Sequence, residues 1–195
     1  MNKQKKISYI NNIRAFCMLW IIGFWHLGGV SEFNSSNRIT LLFTKGCLGT
    51  FVYISGFLLA NKKISNKKEV FYFYKKKFIR IYPLFFISTT LFYILYLWDS
   101  SFWYVMSLKQ YILSILGLAC IIPPAPGTVW FIDMMFLFWG ITPLIIVVKS
   151  RKRKALLGLV VYIVIFAIVR FGGDERLLIY FPMYLGGCFM MKETC

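Results

Sequence analysis

The sequence predicts an all-α fold, a polytopic transmembrane helix bundle of about six spans with one re-entrant or interfacial half-helix. Three observations lead to this class. Hydrophobic residues make up 59% of the 195-residue chain, above the roughly 45–50% of soluble domains. Several apolar runs approach the roughly 20 residues with which a helix crosses a bilayer. The basic residues fall between these runs instead of along one helical face, as positive-inside topology requires.

Six apolar stretches are interpreted as spans, separated by short polar or charged segments. The lysine-rich start "MNKQKK" precedes a long apolar stretch without a small-residue cleavage pattern. We therefore interpret it as part of a retained first helix and not as a secretory signal. We expect residues 1–195 to form a single membrane domain. The predicted spans lie near residues 10–30, 40–60, 78–98, 129–148, 155–171 and 177–191.

The stretch from Tyr111 to Ile122, "YILSILGLACII", is too short to be a seventh span. Its twelve residues rise about 18 Å in a helix, less than the roughly 30 Å hydrocarbon core. The following "PPAPG" (123–127) ends the helix. We interpret the stretch as a half-helix that lies at the interface or re-enters the membrane against protein or a water-lined cavity.

The distribution of basic residues predicts the topology. With a cytoplasmic N-terminus and a half-helix that does not span, eighteen of the 23 basic residues lie on the cytoplasmic side. This asymmetry is what the positive-inside rule expects, so we expect a multi-pass protein of the inner (plasma) membrane. The five basic residues on the outer side are Arg38, Lys45, Lys109, Arg170 and Arg176.

Two function classes are disfavoured by composition. The formal net charge is +16, but topology explains it better than nucleic-acid binding does, so no nucleic-acid partner is expected. The five cysteines show no CxxC or CxxH spacing, and we expect neither a disulfide framework nor a metal site. They are Cys17, Cys47, Cys120, Cys188 and Cys195.

Arg14 and His26 lie in the first predicted span, and His26 is the single histidine of the chain. Twelve residues of α-helix separate them by about 18 Å along the axis and about 120° around it, so they cannot contact each other. Two interpretations of His26 stay open at this point. It is either a structural, hydrogen-bonded histidine, or an intramembrane titratable group that acts as a general base. Arg14 can extend its side chain to the inner interface.

A basic cluster opens the third predicted span in "FYKKKFIRIYP" (73–83). Lys77 and Arg80, at positions i and i+3, share one helical face. Basic side chains at the start of a helix make a phosphate site. The alternative is that the cluster anchors the helix at the inner face or contacts anionic lipid.

Polar residues also occur inside the second and fourth predicted spans. Ser55 and Gly56 are small and permit close approach of two helices, whereas a nucleophilic role for Ser55 has no identifiable base. Asp133 is the only carboxylate in any predicted span and needs a partner, for which His26 and Arg38 are candidates at similar depth. An Asp133 that faces His26 would orient the imidazole and raise its basicity. Trp130 and Trp139 are interpreted as interface or packing aromatics.

Taken together, these stretches resemble the acyltransferase 3 family of integral membrane acyltransferases, which modify cell-surface carbohydrates. The first four stretches are similar to the family's first four helices, and the last is similar to a later helix. They occur in the family's order over nearly the whole chain. The similar stretches are "YINNIRAFCMLWIIGFWH", "TFVYISGFLLANKK", "KKKFIRIYPLFF", "TVWFIDMMFLFWGITPLI" and "YFPMYLGGCFMMK".

The resemblance implies an activity and roles for individual residues. It implies transfer of an acyl group, expected to be acetyl, from cytoplasmic acyl-CoA to a hydroxyl of an envelope glycan or a lipid-linked sugar. Acyl-CoA is then a co-substrate, and no bound cofactor is expected. His26 and Asp133 are the implied catalytic residues. The implied substrate-binding residues are Arg14, Lys77, Arg80, Ser55 and Trp130.

Three features of the sequence differ from the family pattern. Asn11 stands where the family has Asp, and Lys77 where it has Arg. The Arg14–His26 interval is one residue longer than the common form, which in a continuous α-helix turns His26 by about 100°.

Two alternative functions stay open. Members of this family continue through several more spans, so we expect the chain to be incomplete at its C-terminus. An inactive, truncated family member or a membrane assembly partner is therefore one alternative. The other is a transporter of an acyl group or an anionic lipid, in which the lysines would hold the lipid and His26 would couple to protons.

Overall fold

The computed structural model describes residues 3–26, 38–60, 66–99, 107–125, 129–148 and 150–190, with side chains at all of these positions except 3–7, 24–26 and 67. The described residues form α-helices joined by turns and contain no strand, which confirms the all-α class. A π-helical turn, Ile21–His26, continues the first helix. The helices are α1 (Lys3–Trp20), α2 (Arg38–Ala60), α3 (Lys67–Trp98), α4 (Leu108–Ile115), α5 (Trp130–Val147), α6 (Arg151–Arg170) and α7 (Arg176–Phe189).

The six predicted spans all coincide with helices. Three helices in the described part of the chain, α2, α3 and α5, are long and apolar enough to cross a membrane. They correspond to the second, third and fourth predicted spans, while α1, α6 and α7 correspond to the first, fifth and sixth. The number of membrane crossings stays a prediction. Positions 27–30 and 191, at the ends of two predicted spans, lie outside the described residues.

Helix α3 begins well before the predicted span, which was placed at 78–98. Its N-cap is Asn66, whose side-chain oxygen accepts a hydrogen bond from the backbone N–H of Glu69 at 2.9 Å. The Glu69 carboxylate in the first turn also favours this end of the helix. As a result, the basic cluster and the apolar segment form one continuous helix. The prediction that Lys77 and Arg80 lie at a helix start is therefore wrong, because they come about three turns or more after the first residue of α3, Lys67.

Helix α4 lies earlier than the predicted half-helix at 111–122. It starts at a capping box, because the Ser107 hydroxyl accepts from Gln110 N–H and the Gln110 side chain accepts from Ser107 N–H. It ends where Gly117 takes a φ of 71° and Leu118 N–H donates to the Leu113 carbonyl at 2.9 Å. Ser107 with Gln110 therefore marks the start of α4 and Gly117 marks its end, and hydropathy shows neither. The depth of this half-helix in the membrane stays a prediction.

The chain forms two compact units. The first comprises Met1–Asn61 with Met183–Cys195, and the second comprises Lys62–Pro182. Helix α7 begins in the second unit and ends in the first.

In the first unit, α1 and α2 pack antiparallel. The Trp20 indole N–H donates to the Thr44 hydroxyl at 3.1 Å, and the Trp20 ring centroid lies 4.4 Å from that of Phe43. One and a half turns earlier in α1, the Arg14 guanidinium lies 5.8 Å from the ring centroid of Phe51, which is further along α2. The contacts therefore advance in opposite directions on the two helices.

Glycines allow α2 to approach the C-terminal half of α7 in the same unit. A Cβ atom on Gly56 would overlap the Tyr184 carbonyl oxygen, and one on Gly187 would overlap the Tyr53 carbonyl oxygen. The Cys188 thiol donates to the Gly56 carbonyl at 3.6 Å. These contacts confirm the prediction that the small residues of the second span permit close helix approach.

We expect Gly56→Ala to lower the free energy of unfolding by about 1–3 kcal/mol, because the added methyl group overlaps backbone. The measurement is thermal or SDS-induced unfolding of the purified protein in detergent. Gly46→Ala in the same helix is the matched control, since a Cβ there meets nothing within 4 Å. Equal stability of the two variants would contradict the close packing of α2 and α7.

Candidate functional site

Helix α5 is the centre of the second unit. The Phe136 ring packs against Phe85 of α3 with 5.1 Å between centroids, and the Phe138 ring packs against Phe181 of α7 at 5.6 Å. Asp133, in the first turn of α5, has no exposed surface. The helix therefore carries its one carboxylate into the protein interior.

An ion pair and two aromatic rings gather at the start of α5. The Arg176 guanidinium lies 4.1 Å from the ring centroid of Trp130, and its Nε donates to the Asp174 carboxylate at 2.8 Å. Asp174 Oδ1 also accepts from the backbone N–H of Arg176 at 2.9 Å, which fixes the first turn of α7. The Tyr180 ring lies 6.0 Å from Trp130. We call Trp130, Asp174, Arg176 and Tyr180 the Trp130 platform.

The turn after α4 is tied to this platform. The backbone N–H of Asp174 donates to the Cys120 carbonyl at 2.9 Å, and the Cys120 thiol donates to the Trp130 carbonyl at 3.5 Å. Burial raises the pKa of the Cys120 thiol, the negative charges of Asp133 and Asp174 raise it further, and Arg176 lowers it by a smaller amount. The thiol therefore stays protonated at neutral pH and is a poor nucleophile.

The basic cluster of α3 packs against the middle of α5. The Lys77 ammonium lies 4.0 Å from the ring centroid of Trp139, a cation–π contact. One turn earlier in α3, the Tyr74 hydroxyl donates to the Gly140 carbonyl at 2.8 Å. Arg80, one turn beyond Lys77, is exposed. Trp130 and Trp139 are nine residues apart, so the platform and the Lys77 contact lie about 14 Å apart along α5.

The remaining predicted site residues belong to the first unit. Arg14 is exposed and contacts Phe51, and Ser55 is half-buried beside Gly56. His26 is the last residue of the π-helical turn, and its side chain lies outside the described part of the structure. The predicted pairing of His26 with Asp133 stays a prediction.

The π-helical turn changes one estimate made from the sequence. The 100° rotation of His26 assumed a continuous α-helix, whereas residues 21–26 close hydrogen bonds from i to i+5. Each such turn holds one residue more than an α-turn. A single extra residue between Arg14 and His26 can therefore be taken up in this turn, and the α-helical estimate does not apply.

Comparison with known proteins assigns the family. A family model described as an acyltransferase domain, the acyltransferase 3 model, matches residues 7–192. The chain belongs to the acyltransferase 3 family. No curated protein and no solved structure matches the chain significantly. Together with the three long apolar helices, membership makes this a membrane protein of a family that transfers acyl groups to carbohydrates.

Sequence reasoning missed three members of the platform and the role of Trp139. From the sequence alone, Arg176 is only an outer-side charge, Asp174 and Tyr180 have no assigned role, and Trp139 is an interface or packing aromatic. A local signal exists for Asp174, because Asp is a common capping residue at the N-terminus of a helix, where its side chain accepts from a backbone N–H two or three residues further on. The Arg176–Trp130 and Lys77–Trp139 contacts join residues far apart in the chain, and no sequence spacing predicts them.

We expect Lys77 and Trp139 to be energetically coupled. In a double-mutant cycle of Lys77→Met and Trp139→Leu, the coupling energy should be about 0.5–2 kcal/mol, as expected for a partly desolvated cation–π pair. The free energy of unfolding in detergent is the measured quantity. The control cycle combines Lys76→Met with Trp139→Leu. Because Lys76 is exposed, the effects of these two substitutions on the free energy of unfolding should be additive. Additivity in both cycles would contradict the contact.

Proposed function

We propose that this protein transfers an acetyl group from acyl-CoA, bound from the cytoplasmic side of the inner membrane, to a hydroxyl of an envelope glycan or lipid-linked sugar. The observation that carries the proposal is the family match over residues 7–192. Positive-inside topology supports a cytoplasmic N-terminus and a donor site at the basic cluster of α3.

In the proposed donor site, Lys77 and Arg80 bind the phosphates of coenzyme A. Both lie on one face of α3, and Lys75 and Lys76 add positive charge at the same level. The contact with Trp139 limits the freedom of the Lys77 side chain before a ligand arrives. Phosphate binding then loses less side-chain entropy than it would with an unrestrained lysine. In the first unit, Arg14 is proposed to support the donor.

In the proposed acceptor site, the Trp130 platform recognises the sugar. An indole ring offers an apolar surface to the C–H face of a sugar ring, and the Arg176 guanidinium offers N–H donors to hydroxyl groups. The ion pair with Asp174 and the contact with the indole ring fix the guanidinium next to Trp130. Ser55 of the first unit is a further proposed substrate-binding residue.

The proposed chemistry is general base catalysis by His26. The neutral imidazole accepts the proton of the sugar hydroxyl as the hydroxyl oxygen attacks the thioester carbonyl. The tetrahedral intermediate then collapses, the carbon–sulfur bond breaks, and the coenzyme A thiolate takes the proton from the imidazolium. Ester and free thiol are the products. Asp133 is proposed to orient the imidazole.

Replacement of His26 tests the catalytic role. We expect His26→Ala to lower acetyl transfer about 10²–10⁴-fold, the usual contribution of a general base. The assay is reconstitution of the protein in vesicles with labelled acetyl-CoA, following label into membrane glycans. Unchanged transfer at equal protein content would refute the role of His26.

Replacement of Lys77 tests the donor site. We expect Lys77→Ala to raise the KM for acetyl-CoA about 10–100-fold, since a charge-assisted contact to phosphate contributes about 1.5–3 kcal/mol. Lys76→Ala is the matched control and should change KM much less, because its side chain has no contact comparable to that of Lys77 with Trp139. Acetyl-CoA binding without transfer in the wild type would instead favour an inactive family member or a transporter.

A further inference from the structure

Three fully buried polar side chains of the second unit have no hydrogen-bond partner in the described part of the chain. They are Thr89 of α3, Ser114 of α4 and Asp133 of α5, each with 0% exposure. The unpartnered atoms are the two hydroxyl oxygens and both carboxylate oxygens. Native interiors rarely leave such groups unpaired, so several at one place point to a ligand.

The hydroxyl groups of Thr89 and Ser114 differ from those of four threonines in the described helices. Thr44, Thr50, Thr90 and Thr142 each donate to the carbonyl four residues earlier, at 2.8–2.9 Å. That bond satisfies a buried hydroxyl within its own helix. Thr89 lies next to Thr90 and does not make it, so its oxygen is available to a partner outside α3.

Thr89 and Asp133 lie at the same level of two antiparallel helices. Lys77 contacts Trp139, and further along α3 Phe85 contacts Phe136, which is earlier in α5. Thr89 lies about 6 Å beyond Phe85, and Asp133 lies about 4.5 Å from Phe136 in the same direction. Both therefore lie one helical turn from the Phe85–Phe136 contact, on the same side of it.

Helix α4 brings Ser114 to the same junction. The Tyr111 hydroxyl lies 3.0 Å from the Thr90 hydroxyl, and the Tyr82 hydroxyl donates to the Ile115 carbonyl at 3.1 Å. A Cβ on Gly117 would lie 3.1 Å from the Phe136 ring. Ser114 lies between these contacts on a helix that ends here. The end of α4 therefore lies at the Phe85–Phe136 contact, and Ser114 is three residues before Gly117 in the chain.

The charge of this cluster selects the ligand. An ionised carboxylate in an apolar interior requires a compensating charge, and neither carboxylate oxygen of Asp133 has a hydrogen-bond partner in the described part of the chain. One carboxylate and two neutral hydroxyls balance a single positive charge, whereas calcium takes about six to eight oxygen ligands and magnesium usually keeps several waters. The C-terminal end of a half-helix inside a membrane protein also favours a monovalent cation.

We propose that Asp133, Thr89 and Ser114 form a buried sodium site at the junction of α3, α4 and α5. Carboxylate and hydroxyl oxygens are hard ligands that suit this ion. Bound sodium would balance the Asp133 charge and join the half-helix to the two longer helices. Asp133 is also the residue proposed to orient His26, but the sodium site does not depend on that role.

Binding of ²²Na⁺ to the purified protein in detergent tests the site. We expect about one ion per chain, with loss of binding in Asp133→Asn. Thr89→Val, which keeps the shape of the side chain, should weaken binding about tenfold, the effect of losing one ligand worth about 1.4 kcal/mol. The matched control is Thr142→Val, whose hydroxyl is equally buried but bonded to the Phe138 carbonyl; its sodium affinity should not change.

Any of three results would overturn the proposal. The first is that equal concentrations of potassium or choline abolish sodium binding, and the second is that Thr89→Val and Thr142→Val both leave sodium binding unchanged. The third is an infrared carbonyl band of a protonated carboxylic acid in sodium buffer that disappears in Asp133→Asn, because a proton would then occupy the place of sodium. If Asp133→Asn fails to fold, the comparison of the two threonine variants decides. If the wild-type protein binds sodium but does not transfer acetyl groups, the proposed function is refuted and the sodium site is not.

Discussion

The contact between Phe85 and Phe136 fixes the register of α3 against α5, and the arrangement of the second unit follows from it. Along one direction from this contact, the antiparallel helices bring Lys77 onto the indole ring of Trp139. Along the other, they bring Thr89 to the level of Asp133. Large apolar contacts of this kind set which polar groups face each other, since a shift of one turn moves every partner by about 5.4 Å.

Close packing has a different basis in the first unit. There, Gly56 and Gly187 bring the backbones of α2 and α7 together, which suits a lipid environment where the hydrophobic effect does not hold helices to each other. Among the described polar side chains of this unit, Trp20 donates to Thr44 of the neighbouring helix, and Thr44 donates to a carbonyl of its own helix. Close backbone contacts thus join α2 to α7 in the first unit, whereas aromatic side chains join α3 to α5 in the second.

The sequence predicts the helices much better than the contacts between them. Hydropathy located all six long helices, because apolar length is a local property. It misplaced the start of α3 and the ends of α4, where Asn66, Ser107 and Gly117 decide through capping and backbone conformation. Of the candidate site, it found Lys77, Trp130 and Asp133 as individual residues. It could not pair Lys77 with Trp139 or Trp130 with Arg176, because such pairs depend on the register between helices.

The two ends of the candidate site differ in charge, and this difference has a consequence for the proposed donor. Acyl-CoA is anionic at its coenzyme end and uncharged at its acyl end. The Lys77 cation of α3 lies at the level of Trp139 of α5, whereas the Asp133 level, about 9 Å away along α5, would be neutral with sodium bound. Without the cation, the Asp133 charge would disfavour any nearby anion and would itself be poorly solvated. A neutral Asp133 level thus allows the acyl end to approach it, while the phosphates stay with Lys77.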